Sequence, residues 1–289
     1  MKQQNRYNHT ALVDADYIIW IATNPNKVLG SDKHPLKKDD KFIYEDKTLE
    51  QALNTCDAYI TDILNISKAD SYSLFLTAGN NFRYQVDSSY KANRVGLDKP
   101  MWFNEVRDHM KTHWNAIEVP GLEADDLVVT TLNSLENSYI IAVDKDVLDC
   151  TPGKHFDARK GKLSFIETTK VYADFAFAKQ LLTGDTIDGV PNLIKGMGPK
   201  TAETELSTRV EFNIISPISA AFNIYLQTLG EREGVLRFTK QYQLLKIIDS
   251  LESIPKGINF EIPEPNCWQC IETILSDEFY EIKYATEEL

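Results

Sequence analysis

Carboxylates recur in this sequence in tight clusters, each where a strand ends or a helix begins. The clusters are Asp14-Ala15-Asp16, Glu123-Ala124-Asp125-Asp126, Asp144-Lys145-Asp146 and Gly184-Asp185-Thr186-Ile187-Asp188. One Asp in such a place is ordinary, because it caps a helix and complements the helix dipole. A cap needs one acid, and these clusters offer two or three. Carboxylates brought to one sheet edge repel one another unless cations lie between them. An oxygen-ligand set without a conspicuous His/Cys group suits Mg²⁺ or Mn²⁺ rather than zinc. Such a set can hold two ions ~4 Å apart, an arrangement that activates a water and stabilises the leaving oxygen in phosphodiester cleavage.

Two further stretches suit phosphate. In Tyr90-Lys91-Ala92-Asn93-Arg94 the ring can stack on a base while the flanking cations neutralise a phosphate; a solvated helix turn is the plainer reading. The stretch Gly189-Val190-Pro191-Asn192-Leu193-Ile194-Lys195-Gly196-Met197-Gly198-Pro199-Lys200-Thr201-Ala202 combines glycines with a helix start. Gly196 and Gly198 let backbone approach a ligand closely, the free N–H groups of the helix start suit an anion, and Lys200 adds charge. Its specificity favours a DNA-backbone grip over an ordinary interhelical turn.

These residues need a scaffold, and the hydrophobic pattern supplies one. Strands are predicted at 11–14, 72–77, 116–119 and 139–143, and helices at 48–66, 101–114 and 122–135. The alternation implies a mainly parallel α/β sheet flanked by helices, with sites at the carboxyl ends of its strands. From about Phe175 the pattern turns helical. We therefore expect an α/β domain over 1–178 and a helical domain over 179–289.

The composition fits a folded protein of 289 residues, 43% hydrophobic and 26% charged. No apolar run reaches the ~20 residues of a membrane span, and the N-terminus has no secretion-type apolar segment. With four cysteines, Cys56, Cys150, Cys267 and Cys270, reduced thiols in a cytoplasm are expected. Cys267 and Cys270 form a lone CxxC, which lacks the further ligands zinc needs. Lys and Arg total 31 and Asp and Glu 43, so the net charge is −12, which at face value opposes nucleic-acid binding. The distribution weakens that objection. Residues 250–289 hold nine acids and two bases, −7 of the −12, while Arg83, Lys91, Arg94, Lys99, Arg107 and Lys111 cluster against four acids over 80–111. Lys154, Arg159, Lys160 and Lys162 form a second basic group.

The order of motifs from about Leu12 to Ala202 resembles the 5′-nuclease family of flap endonucleases, phage 5′→3′ exonucleases and the 5′-nuclease domain of bacterial DNA polymerase I. Gly-Leu-Glu-Ala-Asp-Asp and Gly-Asp-x-x-Asp-Gly-Val-Pro carry the likeness, and Tyr-Lys-Ala-Asn-Arg brings the phage exonucleases nearest. The resemblance implies a PIN-like 5′-nuclease fold with a helix–three-turn–helix over 189–202, and a two-metal nuclease using Mg²⁺ or Mn²⁺. It implies metal ligation by Asp14, Glu123, Asp125, Asp126, Asp144, Asp146, Asp185 and Asp188. Asp125 would lie near both ions, and Asp16 matches a variably acidic position. Lys91 and Arg94 would act at the scissile phosphate. Tyr90, Gly196, Gly198, Lys200 and Thr201 would contact DNA, with K⁺ a candidate on the carbonyls of the three-turn motif. The implied substrate is a 5′ end of duplex or flap DNA, or an RNA primer. Replication proteins are candidate partners, and the place of action would be the cytoplasm, of a host if the protein is phage-encoded.

Three departures stand out. Where the family has an acid after the second strand this chain has Ala78, with Asn80 and Asn81 as neutral substitutes; turn 189–198 is about one residue longer; and the segment from Lys91 to Glu123 is short, which favours exonuclease action over long-flap cleavage. Two alternatives remain at this point. One is a structure-specific DNA-binding protein with a weakened nuclease. The other is a haloacid-dehalogenase-like phosphatase, whose chemistry would leave Glu123, Asp125 and Asp126 without a role.

Overall fold

The computed structural model describes residues 9–31, 33–213 and 216–253. Cys267, Cys270 and nearly all of the acidic stretch 250–289 lie outside the described residues.

The chain opens with β1 (Thr10–Asp14) and α1 (Asp16–Thr23). Four two-residue strands follow, β2 (Asn26–Lys27), β3 (Lys37–Lys38), β4 (Lys41–Phe42) and β5 (Tyr44–Glu45), which pair as two small antiparallel ladders. Next come α2 (Leu49–Ser67), β6 (Ser71–Leu76), α3 (Arg83–Val86), α4 (Phe103–His113), β7 (Ile117–Glu118), α5 (Ala124–Ser134) and β8 (Ser138–Ala142). Beyond them lie α6 (Lys145–Cys150), β9 (Gly153–Asp157), β10 (Ser164–Thr168) and α7 (Lys170–Thr183). The described chain closes with α8 (Pro199–Asn213), α9 (Pro217–Leu229) and α10 (Glu231–Leu245).

The six-stranded sheet has the order β10-β9-β8-β1-β6-β7, parallel except for β10, which runs antiparallel to β9. Its central strands are buried on both faces, and their alternation assigns each side chain to a layer. Ala11, Val13, Leu74, Leu76, Tyr139 and Ile141 pack with α1, α2 and α4 on one face. Leu12, Phe75, Ile140 and Ala142 pack with α5 and α6 on the other. The long helix α2 starts with a capping box. Thr48 Oγ1 accepts from Gln51 N at 3.2 Å, and Gln51 Oε1 accepts from Thr48 N at 2.9 Å.

After β1 the chain builds β6 and β7 on one side, then returns to place β8 on the other. That reversal opens a crevice at the carboxyl ends of β1 and β8, where open α/β sheets bind ligands.

Helices α7 to α10 form a third core around Phe177, Leu181, Leu182, Leu206 and Tyr225. The expected boundary at 178–179 falls inside α7, a continuous helix whose buried face already belongs to this core. Strands β9 and β10 lengthen the sheet beyond the four expected strands.

Arg83 ties these layers together. It is 1% exposed, yet it makes five hydrogen bonds. Two go to the Asp126 carboxylate, at 2.7 and 2.8 Å, and one to Glu123 Oε2 at 3.3 Å. The others reach the carbonyls of Leu244, in the last turn of α10, and Lys246, just past it, at 3.0 and 2.7 Å. Asp126 Oδ1 also accepts from Ile248 N at 3.1 Å. Removing one partner of such a pair strands a buried charge, at a cost of about 3–5 kcal/mol. Arg83→Met is therefore expected to lose about that much stability in urea unfolding, whereas Arg83→Met with Asp126→Leu should lose much less. Equal losses in the two proteins would refute this role for the pair.

Candidate active site

A cleft of about 1020 Å³ opens at the carboxyl ends of the central strands. Each expected carboxylate but one lines it: Asp14, Glu123, Asp125, Asp144, Asp146, Asp185 and Asp188, joined by Asp16. Four separate segments supply them. Asp14 is the last residue of β1, and Asp144 and Asp146 follow β8. Glu123 and Asp125 flank the start of α5, and Asp185 and Asp188 lie in the loop after α7.

Local structure aims these groups. Asp144 caps α6 by accepting from Asp146 N at 2.8 Å. Asp185 Oδ1 accepts from Ile187 N at 2.8 Å and Asp188 N at 3.3 Å, while its backbone bridges to Val190. Gly184, at φ +64, allows that crossing: a Cβ there would sit 2.4 Å from the Val190 carbonyl oxygen. Gln180 Nε2 donates to Asp146 Oδ2 at 2.7 Å.

Asp126 is the exception. Oxygens of Glu123, Asp125 and Asp126 lie within 4.8 Å of one another, which alone would fit three ligands around one ion. However, Asp126 is fully buried and gives both oxygens to Arg83, Ile248 N and Glu123 N. Its lone pairs are committed to the core, and we correct its expected ligand role to a structural one. At about 100° per helical residue, Asp125 and its neighbour cannot face the same way.

Cations and a phenol complete the wall. Lys91 Nζ pairs with Glu123 Oε1 and lies 3.5 Å from Asp188 Oδ2, and Arg94 pairs with Asp188 Oδ1. Tyr90 OH donates to Glu123 Oε2 at 3.1 Å and Asp188 Oδ2 at 2.9 Å. Tyr90 is itself 3% exposed and packs in the helical core, so its hydroxyl rather than its face meets the cleft. That corrects the expected base-stacking use of the ring. Lys91 takes a left-handed backbone, φ +55, and its N–H donates to the Asp188 carbonyl at 2.8 Å.

Sequence reasoning gave Asp16 only a variable place and Arg107 and Arg159 only places in basic groups. All three line the cleft. Both Asp16 oxygens accept from Thr77 N at 3.2 Å, and Arg107 lies 3.7 Å away. A carboxylate thus stands next to Ala78, where the expected acid is missing, but it arrives from the start of α1, just after β1. Asn81 Oδ1 is occupied in accepting from Arg83 N at 2.9 Å. Gly196, Gly198, Lys200 and Thr201 do not line the cleft. Gly196, at φ +93, and Gly198 lie in the turn before α8, and Lys200 and Thr201 are exposed in its first turn.

The electrostatics are lopsided. Burial, with the nearby charges of Asp16 and Asp144, holds the Asp14 carboxyl well above its ordinary range. Burial, then Asp126 and Glu123, does the same to Asp125. Asp188 is also raised by burial despite Lys91 and Arg94. Glu123 differs: burial raises it, but Arg83 and Lys91 outweigh that and keep it ionised below the usual range. Burial, then Asp144, pushes Asp146 up to about 7. The cleft therefore crowds carboxyls whose charged forms are disfavoured by burial and by one another; a cation among these oxygen donors would favour the ionised forms, which fits Mg²⁺ or Mn²⁺.

No protein-family model matches the chain. Solved structures do. The T5 D15 protein co-crystallised with metal ions is 14% identical, over 82% of this chain and 86% of that one, with a TM-score of 0.55. The chain has the 5′-nuclease fold. The bacteriophage T5 D15 flap endonuclease, in a pseudo-enzyme–product complex with DNA and metal ions, matches over 82% of this chain and 99% of that one, with 10% identity and a TM-score of 0.52. T5 5′-exonuclease with bound zinc matches at 13% identity over 82% and 86%, also with a TM-score of 0.52. At this distance the likeness is one of fold, and it agrees with the resemblance read from the motifs. Among the described residues, no helix is long and apolar enough to cross a membrane.

The raised Asp146 yields a signed prediction. A carboxyl whose folded pKa lies above its unfolded one costs nothing below pH ~3.8, and its cost grows up to about pH 7. Asp146→Asn mimics the protonated form. In EDTA it should stabilise the protein progressively across that window, by up to ~4 kcal/mol at 1.36 kcal/mol per pKa unit. Melting curves from pH 4.5 to 8 check this, and a gain independent of pH would contradict it.

Proposed function

We propose that this protein is a divalent-metal-dependent nuclease acting at the 5′ ends of duplex or flap DNA, including RNA-primed strands. One observation carries the reading: carboxylates from four distant segments converge in one cleft whose rim holds Lys91 and Arg94. A core built for stability alone would not gather like charges this way, since each raises the others' pKa.

In this reading Asp14, Asp16, Glu123 and Asp125 hold one side of the metal centre, and Asp144, Asp146, Asp185 and Asp188 the other. Mg²⁺ or Mn²⁺ bound there supplies Lewis-acid charge to the scissile phosphate and to the attacking water. The chain's own residues position and neutralise. Tyr90 OH orients the carboxylates of Glu123 and Asp188. Burial lowers the pKa of Lys91, but Glu123 and Asp188 more than offset this, so it stays protonated and can meet charge building on phosphate oxygens. Arg94, more exposed, supplies a second cation at the rim.

Away from the chemistry, the start of α8 offers backbone N–H groups and Lys200 to a duplex phosphate, and Thr201 adds a hydroxyl. This grip would set how far a 5′ end reaches into the cleft. Carbonyls of the turn before α8 could hold K⁺, as the resemblance implies.

The test is a 5′-labelled duplex incubated with the protein and Mg²⁺ or Mn²⁺. Short 5′ products are expected with metal and none in EDTA. Asp125→Asn should nearly abolish cleavage while DNA binding persists, because the basic grip is untouched. Cleavage in EDTA, or full activity of Asp125→Asn at millimolar Mg²⁺, would overturn the assignment.

A further inference from the structure

Helices α2 and α4 carry a second group of metal-ligating side chains, none of which lines the cleft. His109 and His113 are four residues apart on α4 and so project from the same face. Their rings stack with centroids 4.9 Å apart and planes 11° from parallel. Asp57 reaches them from α2, with its Oδ1 2.7 Å from His109 Nε2. Ligand atoms of the three residues all lie within 4.8 Å of one another.

We propose that Asp57, His109 and His113 form a transition-metal site, of the zinc class, that joins α2 to α4. Two imidazoles and a carboxylate are a zinc-type donor set, with water as fourth ligand, whereas Mg²⁺ and Ca²⁺ select oxygen alone. The cleft and this site therefore differ in the metal they prefer. An outer support is already built. Trp114 Nε1 donates to Asp57 Oδ1 at 2.6 Å, which anchors the carboxylate while its second oxygen can turn to an ion. Bonds of ~2.0–2.1 Å in a tetrahedron need donors about 3.3 Å apart, within reach of small side-chain rotations from the present spacing.

The ion would brace the helix that carries Arg107, whose guanidinium bonds the Thr77 carbonyl and Glu118 and lies near Asp16. The proposal does not depend on nuclease activity. Its plain rival is an Asp57–His109 ion pair across two helices, which gives His113 no part in metal binding.

The test is calorimetric titration of the whole protein with ZnCl₂ in excess Mg²⁺, using wild type, His113→Ala and Asp125→Asn. His113 is exposed, so its removal leaves the core intact. We expect a zinc-binding event in wild type that persists in Asp125→Asn and weakens at least tenfold in His113→Ala, the scale on which lost metal-site contacts act. Unchanged zinc binding by His113→Ala, or a wild-type event that disappears only in Asp125→Asn, would overturn the proposal.

Discussion

The architecture of the cleft depends on one buried ion pair. Arg83 and Asp126 face each other beneath the acidic wall with almost no access to water. Taking two charges out of solvent costs several kcal/mol for each ion, and only full hydrogen bonding makes that tolerable. Here the guanidinium has five bonds, and the carboxylate accepts from Ile248 N and Glu123 N as well. The pair joins the start of α3, the start of α5 and the chain just beyond α10. Glu123 is held by the same guanidinium, then by Tyr90 and Lys91. The position of the acidic wall is thus set from below, by the buried Arg83–Asp126 pair.

Above that foundation the charge balance reverses. Asp14, Asp125, Asp146 and Asp188 all have pKa values raised by burial. Each would gain from a cation, and the helix starts that position them add dipoles that partly offset the crowding. The strand order explains why they meet at all. Because β1 lies between β6 and β8, loops from both halves of the sheet end at one crevice, and the loop after α7 closes it from the helical layer. Stability and site geometry therefore pull apart here, as expected where binding rather than packing decides residue choice.

Much of this was legible before any coordinates. The short apolar runs of β1, β6 and β8 and the helical spacing of α2 reflect burial, which sequence records directly. The acidic clusters were readable as one site because capping alone does not need paired acids. Asp126 was misread because an Asp-Asp doublet does not say which member faces the core; its partner Arg83 lies 43 residues away in sequence. Arg83 stood among surface-like cations for the same reason. Asn81, a candidate ligand in sequence, instead accepts from the Arg83 backbone, a local turn choice that composition does not encode. Strands β9 and β10 escape the hydrophobic pattern because they carry polar residues such as Lys154, Glu167 and Thr168, although they are as long as β1 and β8. The His109–His113 spacing was present in sequence, but Asp57 joins it only through the packing of α2 on α4.

On the proposed reading, the converged carboxylates form a divalent-metal centre. Diffraction from crystals soaked in Mn²⁺, recorded at the manganese absorption edge, tests it without reliance on catalysis. Anomalous peaks are expected inside the cleft, bonded to Asp125 and its neighbours from β1 and β8, with none at Asp126. A cleft without manganese at millimolar concentration, or an ion held by Asp126 with Arg83 displaced, would contradict it.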